Sequence, residues 1–263
     1  MPGQLILMRH GQSEWTRPQV NRFAGWVDVP LSSQGLQQAR AAGKLLEAQE
    51  LKPDVAFTSL LTRSIISANL VLDQIDRLWI PVERSWRLNE RHYGAFQGQT
   101  RPAMLAEYGQ ERFNIYRRSY DVAPPPLAPS SPYWQGEDPR YAPTWADGLD
   151  DFDPAHIRSE SLQDLTTRLL PYLRQCIQPH LAQGQTVLVV THGSVVRALM
   201  KVLDQVSDQD IRSINVPTGV PMVYQVAVGP DGDLQRLAPG RYLDPAAARS
   251  GIAQVEALGS NPA

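Results

Sequence analysis

One cysteine in 263 residues leaves nothing for an intramolecular disulfide or a thiol-rich metal site. Cys176 lies in the apolar stretch 169–181, and the reading there is a buried, inert thiol. An excess of one charge is lacking too. The 25 Lys and Arg against 27 Asp and Glu give a net charge of −2, which argues against bulk binding of nucleic acid or an anionic membrane, since both need a basic surface. No apolar run approaches the ~18 residues of a membrane span, and the N-terminal one is too short for a signal peptide's hydrophobic region. A cytoplasmic protein is expected. The chain has no G-x-x-x-x-G-K-[ST], G-x-G-x-x-G, H-E-x-x-H or G-x-S-x-G, and no His, Cys and carboxylate spacing that suggests zinc. No repeat signals a solenoid. Hydrophobic residues make up 42% of the chain and charged ones 20%, enough apolar mass for a sizeable core. Metal-independent chemistry through histidine remains.

Two of the five histidines share one setting. Leu5-Ile6-Leu7-Met8 is a short apolar run suited to a strand buried on both faces, and it breaks abruptly into Arg9-His10-Gly11. In an open α/β sheet, ligands sit just beyond the carboxyl ends of strands, where this break places Arg9 and His10. Arg9 suits an anion such as phosphate, and its charge disfavours the imidazolium, leaving His10 neutral and nucleophilic. Thr186-Val187-Leu188-Val189-Val190-Thr191-His192-Gly193-Ser194 repeats the device and runs on into a helix. The N-terminus of that helix offers backbone N–H groups and partial positive charge to an anion. Two histidines, an arginine and a helix N-terminus at neighbouring strand ends make a phosphate pocket.

Along the chain, Ser32 and Ser33 cap a helix over about 34–49, a strand is expected at 53–59, and a helix follows over about 60–78. A short strand at 80–82 completes a β-α-β-α-β alternation. The fold class expected is α/β: three α/β/α layers with a mostly parallel central sheet, and the active site at the carboxyl ends of the strands under an insertion. That insertion is 99–160. It holds a helix near 103–119 and the proline-rich stretch 123–132, which no strand or helix interior tolerates. Tyr133, Trp134, Tyr141 and Trp145 call for burial and weaken the alternative of a disordered linker. A helix over 159–181 kinked at Pro171, a strand at 186–190, a helix at 195–203 and a last strand at 220–226 follow. One domain is read over 1–245, and 246–263 is read as a weak alanine-rich helix and a mobile polar tail.

Arg9 alone cannot neutralise the three peripheral oxygens of a phosphoryl group, and Arg63, early in its helix, offers a second guanidinium fork. Transfer to His10 also needs a proton donor for the leaving oxygen. Glu90 lies within Trp86–Tyr93, whose aromatic neighbours would favour a protonated carboxyl; Glu14 is its rival. Arg91, Arg101, Arg117 and Arg118 cluster on or beside the insertion of a chain that is not basic overall, which suggests a second anionic group on the ligand. For each of these residues the plain alternative is a solvated surface charge.

Arg9-His10-Gly11, with Arg63 and His192 downstream, resembles the histidine phosphatase superfamily. Within it the chain is similar to the cofactor-dependent phosphoglycerate mutases. The carrying segments are Arg9–Trp15, Asn21–Phe23, Gly25–Asp28, Ser85–Gly94, Arg117–Asp121, Asp138–Tyr141, Thr191–Gly193, Arg197–Leu199 and Asn215–Pro221. Arg-His-Gly marks only the superfamily; Trp86-Arg87-Leu88-Asn89-Glu90-Arg91-His92-Tyr93-Gly94 is far more specific. The resemblance implies interconversion of 3-phosphoglycerate and 2-phosphoglycerate in glycolysis and gluconeogenesis, through phosphorylated His10 primed by 2,3-bisphosphoglycerate and without a metal. It implies that Arg9, Arg63 and His192 hold the phosphoryl group with Gly193, and that Glu90 is proton donor and acceptor. Ser13, Gly25, Arg91, Tyr93, Arg117 and Arg118 would bind the rest of the substrate. The partners implied are small phosphorylated metabolites and further copies of the chain, as homodimer or homotetramer, with no nucleic acid and no membrane.

Four departures fall at ligand-facing positions: Thr16 where the family usually has Asn, Ala24 for Thr, Arg101 for Lys and Ser194 for Asn. Two extra residues lie between Trp15 and Asn21, and the insertion before Ser159 looks longer than usual. Losing one hydrogen bond to a charged group costs about 1.5–3 kcal/mol. The phosphoryl-transfer core is intact and the carboxylate-recognising rim is altered. The alternatives are a histidine-type phosphatase acting on another small phosphorylated acid or sugar, and a non-catalytic phosphometabolite-binding protein. Retention of His10, Glu90 and His192 argues against the last.

Overall fold

The computed structural model describes residues 2–142, 149 and 153–259. Strands β1 (Gly3–Arg9), β2 (Val55–Thr58), β3 (Val82–Arg84) and β4 (Thr186–Thr191) run parallel in the order β3-β2-β4-β1. Strand β5 (Met222–Val228) pairs antiparallel with β1, and β6 (Leu234–Arg236) and β7 (Arg241–Tyr242) pair antiparallel with β5.

Strand side chains alternate between faces, and the core divides accordingly. Leu5, Leu7, Val187 and Val189 pack with Leu165, Leu169, Val195 and Leu199. Ile6, Met8, Leu188 and Val190 pack with Ala39, Ala42, Ala68 and Val71. The first set meets helices α4 (Leu162–Tyr172) and α6 (Gly193–Asp204); the second meets α1 (Ser33–Ala48) and α2 (Thr62–Gln74). Three layers result. Strands β1 and β4 are buried on both faces, hence their unbroken apolar runs.

Local chemistry sets the helix ends. The Ser32 hydroxyl accepts from the Gly35 N–H to start α1, and Asp28 accepts from the Thr62 N–H at the start of α2. Helix α3 (Arg101–Arg118) begins two residues before the 103 expected, because Thr100 caps it. At Gly109 its backbone leaves helical geometry, with φ 73°. Helix α4 runs through Pro171 and widens into a π turn at Leu173–Ile177, then continues as α5 (Gln178–Ala182). The irregularity thus falls just beyond the proline. Strand β3 sits two residues later than the run 80–82, since Ala56 of β2 pairs with Val82.

The insertion is tied to the body. The Leu127 N–H donates to Arg158 O, Ala95 N–H to Pro125 O, and Tyr141 packs on Trp26. Tyr133 meets Trp15 edge to face; Trp145 lies outside the described residues. After β7, Asp244 caps helix α7 (Pro245–Ala257), which belongs to the stretch read as a tail. No helix among the described residues is long and apolar enough to cross a membrane.

Candidate active site

Parallel pairing sets Arg9 opposite Thr191, so His10 and His192 leave neighbouring strand ends side by side. The His10 N–H donates to Thr191 O. The two imidazole rings pack edge to face, centroids 4.9 Å apart. Gly11 is needed for close approach: a Cβ there would lie 2.2 Å from the carbonyl oxygen of Gly35 at the start of α1.

His10 Nδ1 is 2.6 Å from the Gly11 carbonyl oxygen. A carbonyl only accepts, so Nδ1 carries the proton and Nε2 keeps its lone pair. Burial first, then the Arg63 and Arg9 guanidinium groups, hold this imidazole well below its ordinary pKa against the opposing Gly11 hydrogen bond. Arg63 Nε donates to His10 Nε2 over 3.3 Å, while its two terminal nitrogens are anchored on Val27 O and Gly25 O. Arg9 Nη1 donates to Val216 O, and Arg9 Nε is buried without a partner among the described residues. His192 Nε2 shares a 2.8 Å hydrogen bond with the Ser59 hydroxyl, and His192 Nδ1 is likewise buried and unpartnered among the described residues.

Glu90 completes this group. Its Oε1 accepts from the Arg91 and Ser194 backbone N–H groups, at 2.8 and 3.1 Å, so it sits at the N-terminus of α6. Its carboxyl surroundings are these amides, the charges of Arg9 and Arg63, and the Tyr93 phenol. The Glu90 carbonyl accepts from Trp26 Nε1 and Arg168 Nη2, and Arg168 is paired in turn with Glu160 at 2.5 Å in the interior. The rival Glu14 is 40% exposed and paired with Arg17.

Around His10 the chain forms a cavity open to solvent on one side. Six arginines line it (Arg9, Arg63, Arg101, Arg117, Arg118 and Arg197) and one carboxylate, Glu90. Burial lowers all six guanidinium groups, Arg63 and Arg101 to about 10 and Arg197 to about 9; for all but Arg9 neighbouring arginines add to the depression, and Glu90 or Tyr93 opposes it in each. Ser13, Thr16, Ala24, Gly25, Tyr93, Gly193 and Ser194 also line the cavity. Burial raises the Tyr93 phenol, but Arg91, a Ser194 hydrogen bond and Arg101 together outweigh it, and its pKa falls.

Two residues named from the sequence stand apart from the lining. Arg91 stacks on Tyr93 at 4.5 Å and donates to the carbonyls of Tyr116 and Arg117, bracing the end of α3. His192 contacts the His10 ring without lining the cavity. The departures acquire partners. The Thr16 hydroxyl accepts from the Ser13 N–H at 2.9 Å and closes a tight turn. Arg101 reaches Asn21 Oδ1 and Arg22 O and stacks on Phe23.

The sequence reading missed Ser59 and the wall formed by Arg197, Asn215, Val216 and Val255. Arg197 lies one helical turn beyond Gly193, a spacing that pointed to it. Asn215 accepts from Arg118 and donates to Glu256, and Arg117 donates to Val255 O. Helix α7 thereby closes the cavity from a distance no local pattern records. The arrangement can bind a multiply charged anion and present a neutral nucleophile to it beside one carboxyl. Among the described residues, no group of three or more His, Cys, Asp or Glu could hold a metal ion.

A family model for the histidine phosphatase superfamily, branch 1, matches residues 5–139 and 130–230. A 2,3-bisphosphoglycerate-dependent phosphoglycerate mutase of Leifsonia xyli subsp. xyli is 52% identical over 255 residues, 97% of either chain. One from Bifidobacterium longum is 45% identical, covering 98% of this chain and 99% of that one. Among solved structures, a mycobacterial glucosyl-3-phosphoglycerate phosphatase with VO3 superposes with a TM-score of 0.65 at 21% identity, covering 89% of this chain and 96% of that one. YhfR of Bacillus stearothermophilus gives 0.64 at 24% identity, covering 90% and 96%. These two share the fold. By sequence and architecture together, the chain belongs to the histidine phosphatase superfamily.

Proposed function

We propose that this chain interconverts 3-phosphoglycerate and 2-phosphoglycerate, with 2,3-bisphosphoglycerate as the priming phosphoryl donor. The observation that carries this is a neutral His10 with a bare Nε2 inside a cavity of six arginines and one carboxylate. A bisphosphorylated acid fits the donors left over: among the described residues, Arg9 Nε, Arg101 Nε and Arg197 Nε are buried without partners. End-to-end similarity to the mutase-named relatives supports the same reading.

The bisphosphate supplies the phosphoryl group that first charges the enzyme. His10 Nε2 forms the N–P bond as the P–O bond to the glycerate carbon's oxygen breaks. Arg9 and Arg63 stabilise charge on the peripheral oxygens. Glu90, protonated at that point, gives its proton to the leaving oxygen and takes one back when the other hydroxyl attacks phosphorus. Arg101, Arg117 and Arg118 hold the remaining anionic groups. A second reading, a phosphatase on another small phosphorylated acid or sugar, draws on Ala24, whose methyl lines the cavity where the family usually places a hydroxyl.

An enolase-coupled assay on 3-phosphoglycerate, with free phosphate followed in parallel, separates the two. Turnover stimulated by 2,3-bisphosphoglycerate, resistant to EDTA and lost in His10→Ala, is expected. Phosphate release without isomerisation would overturn the mutase reading. We further place the protein in the cytoplasm as a homodimer or homotetramer. Leu78 and Trp79, 55% and 71% exposed beside the open edge at β3, form an apolar surface for a second copy.

A further inference from the structure

We propose that Ser59 is a positioning residue: its hydroxyl donates to His192 Nε2 and so fixes the proton on Nδ1, ready for a phosphoryl oxygen at His10. This rests on His192 acting toward the group transferred to His10. Ser59 directly follows β2 and is fully buried. Among the described residues its hydroxyl oxygen has two partners, the Leu61 N–H at 3.1 Å and His192 Nε2 at 2.8 Å. The Leu61 N–H can only donate, so the Ser59 proton has one acceptor available, the lone pair of Nε2. With the proton on Nε2 instead, the hydroxyl proton would be buried without an acceptor, and Nδ1 would turn a lone pair toward an anion. Buried donors and acceptors are rarely left so.

This tautomer leaves one unmet group, the Nδ1–H, which has no partner among the described residues and lies on the ring packed against His10. The two imidazoles then carry their protons on the same nitrogen and differ in what they present. His10 anchors its Nδ1–H on Gly11 O and offers the bare Nε2. His192 anchors its bare Nε2 on Ser59 and offers the Nδ1–H. A neutral ring can donate only from the nitrogen that bears the proton, so in a pocket whose cations oppose imidazolium the tautomer decides the role.

Long-range proton–nitrogen correlation of protein labelled with 15N-histidine reads this directly. With five histidines, His192→Gln identifies the signals. Wild-type protein is expected to show His192 protonated at Nδ1, with that signal moving when orthovanadate is added. Ser59→Ala is expected to populate the other tautomer and to weaken vanadate binding about tenfold, the loss of one hydrogen bond to a charged group, while Ser59→Thr retains both properties. A wild-type His192 protonated at Nε2, or a Ser59→Ala protein with an unchanged tautomer, would overturn the proposal. The wild-type spectrum decides the tautomer even where the alanine variant does not fold. Protein lacking mutase turnover but showing the Nδ1–H signal and its vanadate response would sink the function proposed above and uphold the role of Ser59.

Discussion

The buried arginines and buried histidines of this chain respond differently to pH. The arginines stay charged across the physiological range, so they set a fixed positive field. The histidines carry the pH dependence. His92 is held down to about 4, burial outweighing the opposing Glu160 and the Gln135 hydrogen bond, with Arg168 adding to the depression. As pH falls from 6.5 toward 4, the unfolded chain takes up a proton that the folded one refuses, and stability drops by roughly 3 kcal/mol across that window. His10 and His192 act with the same sign. His92→Gln is expected to flatten the slope between pH 6.5 and 4, seen as a smaller gap between urea midpoints at pH 7 and pH 5. The opposite change would remove His92 from this account. At Glu90 the expectation concerns rate: Glu90→Gln keeps a hydrogen-bond acceptor for Ser194 but loses the transferable proton, and kcat should fall by about 10²–10⁴ with KM nearly unchanged in the coupled assay.

The segment Trp86–His92 carries Glu90 without regular structure beyond one short helical turn, so its shape depends on what grips it. Arg168 donates to the carbonyls of Arg87, Asn89 and Glu90, and Glu160 accepts from the His92 N–H. Arg168→Met should cost about 3–5 kcal/mol, because Glu160 is left charged in the interior; chemical denaturation measures it, and a cost near zero would mean the pair is idle. None of this grip was readable from the sequence, since Arg168 looks like any arginine on a helix. The two strand–His-Gly units were readable because unbroken apolar runs ending in glycine signal central strands locally. Strands β6 and β7, of three and two residues, carry no periodicity and exist through pairing with β5. Thr16 and Arg91 follow the same rule. Their partners, Ser13 and the carbonyls ending α3, appear only once the chain is folded.

At the scale of the whole molecule, a net charge of −2 conceals a strong separation of sign. Six arginines face one cavity, so the rest of the protein carries the compensating negative charge, and the entrance attracts small anions while the exterior repels large ones. KM for a phosphorylated acid should therefore rise with ionic strength while kcat stays nearly constant; a salt-independent KM would contradict this. For the apolar edge, Trp79→Glu is expected to shift the assembly toward monomer by light scattering with the circular dichroism spectrum unchanged. An unaltered mass would place the subunit contact elsewhere. The strand order carries one more consequence. Strand β1, which leads to His10, pairs with β4 and β5, joining Leu5 to Val187 and to Tyr224. A chain leaving the ribosome thus makes β1 long before either neighbour exists, and His10 waits on more than two hundred later residues for the sheet that holds it.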